Sequence, residues 1–273
     1  MKHDLCLVFL ILVSLVSCNQ VTVKDSENQV SDEFSKSRET EKKDSIERER
    51  IFTALGDTIF GHVLYGMNES DARAAINDFQ NSLPESQAKM FRFTFSGIEF
   101  YDINEDIVNS DKIDFDKLKH AYKKQTIIWN EKLCSVIWHS RELCTRTTEE
   151  IETQLNTLCS FFENKYGKPN IKKNNDAINR SILIDNDRKL IFAGTTYTTW
   201  ETHDRAIEIL LDGKNCPGDG SGTDWYVYYI VVRFYNKTIM KEISSFLEQE
   251  ETHNIEEFNE KIRQDSIKAA NAL

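Results

Sequence analysis

From Trp225 to Tyr235 the chain reads Trp-Tyr-Val-Tyr-Tyr-Ile-Val-Val-Arg-Phe-Tyr, and this run does most to limit how the whole can fold. Successive residues of a strand face opposite sides of its sheet. That places Trp225, Val227, Tyr229, Val231 and Arg233 on one side, and Tyr226, Tyr228, Ile230, Val232 and Phe234 on the other. Both sides are rich in apolar residues, so the run is expected as a central strand with one face under helices. The opposite face is open to two readings, a packing face or a recognition face for a partner or a glycan, and core is the favoured one. Tyr197 and Trp200 are expected on a neighbouring strand.

Helices that would cover such a sheet are legible on both sides of it in sequence. Asn68 is a candidate N-cap, Glu69 and Asp71 are acidic first-turn residues, and Ala72, Ala75, Ile76 and Phe79 share a face before Pro84. The helix after Thr147 is better marked, because Thr147 and Glu150 have capping-box spacing and Ile151, Leu155, Leu158, Phe162 and Tyr166 repeat at helical intervals until Gly167. A short helix is expected over Phe115, Leu118 and Tyr122. The last segment returns to helical periodicity through Ile239, Ile243, Phe246 and Leu247, then Ile255, Phe258 and Ile262, with a break expected between Glu248 and Asn254.

Strands are expected over Met90 to Ile103 with a bend at Gly97, over Thr126 to Trp129 and Leu133 to His139 around an Asn130-Glu131 turn, and over Ser181 to Ile184, Lys189 to Trp200 and Ala206 to Leu211. The resulting class is α+β, an antiparallel sheet with helices packed on one face. The repeated order of a helix followed by strands suggests two related halves, residues 51–146 and 147–240, ahead of a helical tail at 241–273. Short connections exclude a doubly wound parallel sheet.

The N-terminus carries a different signal. Lys2 precedes an apolar run of 12 residues, Leu5 to Val16, which is too short to span a bilayer core and fits the apolar part of a signal peptide over residues 1–17. The run ends in Leu15-Val16-Ser17-Cys18, which resembles the lipobox of bacterial lipoproteins. That resemblance implies cleavage before Cys18, thioether linkage of a diacylglyceryl group to its sulfur, and further acylation of its amine. Asn19 follows in place of the aspartate that retains some lipoproteins at the inner membrane, so the outer membrane is favoured. Residues 18–50 then read as the lipidated cysteine and a flexible charged tether, since Val21, Val23, Val30, Phe34 and Ile46 are its few apolar side chains. The layout of the domain is also similar, at fold level only, to the BamE-like and lactamase-inhibitor-like domains of envelope lipoproteins, which use it for protein contacts.

Residues able to carry chemistry are scattered. Cys134, Cys144, Cys159 and Cys216 permit three disulfide pairings in an oxidising compartment, and their spacing fits no CxxC metal or redox pair. Cys159 falls on the apolar side of its helix, where a buried thiol is expected. His62, His120, His139, His203 and His253 show neither HExxH nor HxH spacing, so no metal site and no cofactor are expected. His203-Asp204 with Cys134 or His139 offers the outline of a catalytic dyad, but no nucleophile sits in a recognisable elbow, and no catalytic residue is assigned. The Asp212 to Asp224 stretch invites a calcium or phosphate reading, yet it lacks both the closing glutamate of an EF-hand and a GK[ST] triplet. A long hairpin connection is expected there.

A net charge of −11, with 45 acidic against 34 basic residues and no basic run, excludes nucleic acid as a partner. The expectation is an envelope lipoprotein held to the membrane through Cys18, whose module binds another envelope protein without catalysis. The alternatives are a periplasmic hydrolase with a site assembled from distant residues, and a lipoprotein that binds glycans or small molecules on exposed aromatics. No ligand-binding residue is assigned.

Overall fold

The computed structural model describes residues 37–83, 92–145, 147–170, 183–184, 190–216 and 225–271. The segment expected as signal peptide and lipobox, Cys18, and residues 217–224 of the Gly-rich stretch lie outside the described residues. The chain divides into two units, Met1–Glu47 and Arg48–Leu273. In the first, residues 37–47 are helical, with a Lys43–Glu39 ion pair of 2.9 Å one turn apart. Residues 37–50, placed by sequence at the end of the tether with Glu41 to Arg50 as a possible extension of the first helix, are helical.

The second unit opens with α1 at 48–55 and the hairpin β1 (Thr58–Phe60) and β2 (Val63–Leu64). Then come α2 (Glu69–Ser82), β3 (Arg92–Phe95), β4 (Ile98–Tyr101), β5 (Ile107–Asn109), α3 (Phe115–Ala121), β6 (Thr126–Trp129), β7 (Lys132–His139) and β8 (Leu143–Thr145). The second half contributes α4 (Thr148–Tyr166), β9 (Leu183–Ile184), β10 (Leu190–Glu201), β11 (Arg205–Cys216), β12 (Trp225–Asn236) and α5 (Lys237–Asn271). The fold is α+β.

One eight-stranded sheet runs in the order β5-β6-β7-β12-β11-β10-β9, with β8 also paired to β12. β12 is central, as its sequence demands. It pairs with β11 from Arg205↔Asn236 to Cys216↔Trp225, and on its other edge with β7 and β8. Strands β5–β8 of the first half and β9–β12 of the second therefore build one continuous sheet, while β1–β2 and β3–β4 form separate two-stranded sheets. All these pairings are antiparallel except β5 with β6, which is parallel because α3 crosses between them. β11 continues to Cys216, so the connection to β12 is shorter than the Leu211-to-Trp225 loop expected from sequence. Asn130 and Glu131 both adopt positive φ, +48° and +61°, and their left-handed pair matches the twist of the β6–β7 hairpin.

The main core lies between one face of the sheet and the helices α2 and α4. Ile151, Leu155, Leu158, Phe162 and Tyr166 of α4 are all buried there, against Tyr228, Ile230, Val232 and Phe234 of β12. Trp138 is its hub, with the rings of Phe60, Phe79, Phe93, Phe95, Phe100 and Phe234 at centroid distances of 5.0, 5.7, 5.5, 5.2, 5.7 and 5.1 Å. Helices on one face describe α2 and α4; α3 and the first turns of α5 add a smaller layer on the reverse face. There Leu118, Ala121, Met240, Ile243 and Leu247 cover Ile127 and Cys134.

The caps follow the sequence with one change. Asn68 accepts from the Asp71 amide at 2.9 Å, and Gly167 closes α4 at φ +78°. Thr147 caps α4 by accepting from the Glu150 amide, but the Glu150 carboxylate takes the Thr145 hydroxyl instead of returning to the Thr147 amide, which donates to Thr145 Oγ1 at 3.2 Å. A second departure is larger. α5 runs unbroken for 35 residues, so the break expected between Glu248 and Asn254 is absent. Glu248 to Glu251 are good helix formers, and the weaker Thr252, His253 and Asn254 come without a Gly or Pro to stop the helix.

Candidate functional site

Beyond its first turns α5 leaves the body of the unit. Lys119 reaches Glu251 at 2.7 Å, and from Glu251 to Lys268 every residue is exposed. Ile255, Phe258, Ile262 and Ile267 are 54%, 63%, 50% and 52% exposed. The first three recur at intervals of three and four and form a stripe along one side of the helix. These large apolar side chains lie bare at helical spacing, with no packing face of their own among the described residues.

A second surface lies where α5 begins. Residues of β12, of the turn after α3 and of the first turns of α5 surround an open groove of about 560 Å³. On its floor are Glu208, Arg233 and Tyr235, which point from β11 and β12 away from the main core, and Lys123, Lys237 and Lys241 stand around it. Arg233 and Glu208 form an ion pair with only 12% and 14% of their side chains exposed, and the Tyr235 hydroxyl donates to Glu208 at 2.7 Å. Burial and this hydrogen bond to a carboxylate push the Tyr235 phenol above its ordinary value. The guanidinium also lies 4.7 Å from the Tyr235 ring centroid. Lys237 donates to the Thr202 carbonyl at 2.9 Å and pairs with Glu201. The sequence shows no basic run because these cations come from three separate segments; only their spacing from β12 into α5 gave any trace.

The residues singled out from sequence are not brought together. Cys134 is buried on the reverse face, where its thiol donates to the Ile127 carbonyl at 3.3 Å and burial raises it to about 12. It is therefore no partner for an imidazole. Cys159 is buried in α4 as expected, and Cys144 is exposed. Cys216 lies at the end of β11, opposite Trp225. His203 is 81% exposed between Glu49 at 3.5 Å and Asp204 at 3.7 Å, on the rim of the groove. His139 meets the Lys124 carbonyl at 2.9 Å. Near it, Asp106 has a carboxyl raised mainly by burial, an effect that His139 partly offsets. His62, His120 and His253 are exposed, and among the described residues no three His, Cys, Asp or Glu groups converge as a metal site.

The aromatic residues of the sheet are mostly core. Tyr197, Trp200 and Tyr228 are buried, the Trp200 indole donates to the Gly167 carbonyl at 2.7 Å, and the Tyr228 hydroxyl donates to Gln154 at 2.7 Å. A glycan platform needs these faces open, so Trp200 cannot serve as one. Glu69 is a structural clamp: Lys112, Asn109 and Arg73 donate to its carboxylate at 2.6, 2.9 and 3.0 Å, and the Lys112 contact leads in lowering it to about 2. Set beside known proteins, the chain matches no family model, no curated protein and no solved structure.

Proposed function

We propose that the chain is a lipid-anchored protein of the bacterial cell envelope, at the outer membrane, whose folded unit holds a partner protein and performs no catalysis. The anchor rests on the lipobox-like Leu15-Val16-Ser17-Cys18 after an apolar run too short to span a bilayer. The partner rests on one observation above others, the bare stripe of Ile255, Phe258 and Ile262 on a helix that has left its own domain. Burying these side chains against an apolar groove or a second amphipathic helix would contribute about 1.5–3 kcal/mol each.

Two experiments test the two halves separately. Intact-mass analysis of the membrane-extracted protein is expected to give a chain that begins at Cys18 and carries acyl chains, and Cys18→Ala is expected to remain unprocessed. A wild-type polypeptide recovered without lipid would remove the anchor. For the partner, affinity purification from detergent-solubilised membranes is expected to recover a specific protein with the wild type and to lose it with Phe258→Glu. Equal recovery by both would remove α5 as the docking element.

A further inference from the structure

The groove beside the start of α5 has a chemistry that partner binding through Phe258 does not use. In a chain of net charge −11, three lysines and an arginine line it against a single carboxylate, Glu208. That carboxylate is already answered by Arg233 and Tyr235. Lys237 has Glu201, but Lys123 and Lys241 have no carboxylate partner among the described residues. Arg233 has a further unmet need, because its buried Nε has no acceptor. A buried guanidinium nitrogen without an oxygen is costly, and native proteins seldom leave one so.

The local backbone adds to the same field. Asn236 caps α5 by accepting from the Ile239 amide at 3.1 Å, and Thr238 and Lys241 of the first turns line the groove. The first two turns of the helix, which carry the positive end of its dipole, therefore flank the space the lysines surround. Thr238 supplies a hydroxyl beside it, whereas the Tyr122, Tyr235 and Ser244 hydroxyls already donate to the Met240 carbonyl, Glu208 and Glu248. A carboxylate would be satisfied by one guanidinium. Donors spread around a concavity on separate elements suit an anion whose several oxygens point in different directions. The space is also larger than a bare phosphate needs, and its cations gather around one concavity, so it offers no continuous basic track for a polynucleotide.

We propose that this groove is a binding site for a phosphate group carried on a small molecule or lipid headgroup, a phosphomonoester, held by Lys123 and Lys241 over the Arg233–Tyr235 floor. Both lysines are exposed and make no ion pair that the fold depends on, so Lys123→Gln with Lys241→Gln tests the site without threatening the domain. Calorimetric titration of the full chain in a mild non-ionic detergent would use inorganic phosphate, dihexanoyl phosphatidic acid, and dihexanoyl phosphatidylcholine as the control with a blocked phosphate. The proposal expects saturable one-to-one binding of phosphate or phosphatidic acid, weakened roughly tenfold or more in the double variant and by added salt. Binding of inorganic phosphate alone identifies a soluble ligand, whereas binding only of phosphatidic acid identifies a headgroup. The proposal is overturned by no saturable binding of either, by equal affinity in the double variant, by phosphatidylcholine binding as well as phosphatidic acid, or by tighter binding of a single-stranded oligonucleotide. Circular dichroism of the double variant separates loss of the site from loss of the fold.

Discussion

Glu69 shows how much of this fold is held by single polar residues. Its carboxylate sits at the start of α2 and gathers Lys112, Asn109 and Arg73, so it ties the helix to the segment that follows β5. The folded value of about 2 lies below the ordinary 4.5, so the ionised form is favoured by folding. Its contribution is fully present above pH 4.5 and is lost as the pH falls through about 2. Glu69→Gln is expected to cost about 1–2 kcal/mol at neutral pH, a figure that allows for solvent screening of the partly exposed pair. Urea denaturation across this range should show the two proteins converging in acid; a constant difference would contradict the clamp. Cys134 gives a second residue-scale test. A buried thiol raised to about 12 is no nucleophile, so maleimide is expected to modify it only once the protein is unfolded. Labelling at Cys134 in the native state, mapped by peptide mass, would contradict its burial. Neither environment was legible in sequence, because Lys112 and Asn109 are far from Glu69 along the chain and meet it only through the parallel β5–β6 crossover.

At the scale of elements, local chemistry explains where sequence and structure agree. The aliphatic and aromatic repeat of α4, the Gly167 stop and the Asn130-Glu131 turn are all carried by residues within one turn of one another. Gly167 is needed in two ways, for its positive φ and because a Cβ there would lie 3.1 Å from Ile51 Cδ1. Gly167→Ala is expected to destabilise by about 1–2 kcal/mol, read from the thermal midpoint. Glu131→Gly is expected to act in the opposite direction, by about 0.5 kcal/mol, because Asn-Gly suits two left-handed positions better than Asn-Glu. The elements that sequence did not reveal have non-local causes. The short β1–β2 hairpin has too few residues for a period, and β5 is a strand because β6 lies beside it. The reverse-face layer escaped notice because α3 and α5 are far apart in sequence. The groove escaped notice for the same reason, since charge counted along the chain is blind to cations gathered from three segments.

For the whole molecule, the body and the projecting helix differ in packing. Trp138 and the rings around it, with α4 and β12, hold the unit together, whereas among the described residues every side chain from Thr252 to Lys268 is exposed. On the proposed function, stability and partner binding are therefore expected to be separable. Deleting residues 252–271 is expected to leave the thermal midpoint of the body unchanged while abolishing partner recovery, and a large fall in the midpoint would mean that the projecting half supports the fold. The most direct measurement of the central claim is photo-crosslinking in intact cells with benzoylphenylalanine placed at position 258, and at exposed His62 as the control. A discrete adduct of higher mass at 258, absent at 62, is the result this account requires. No adduct at 258, or the same pattern at both positions, would contradict a partner on the α5 stripe.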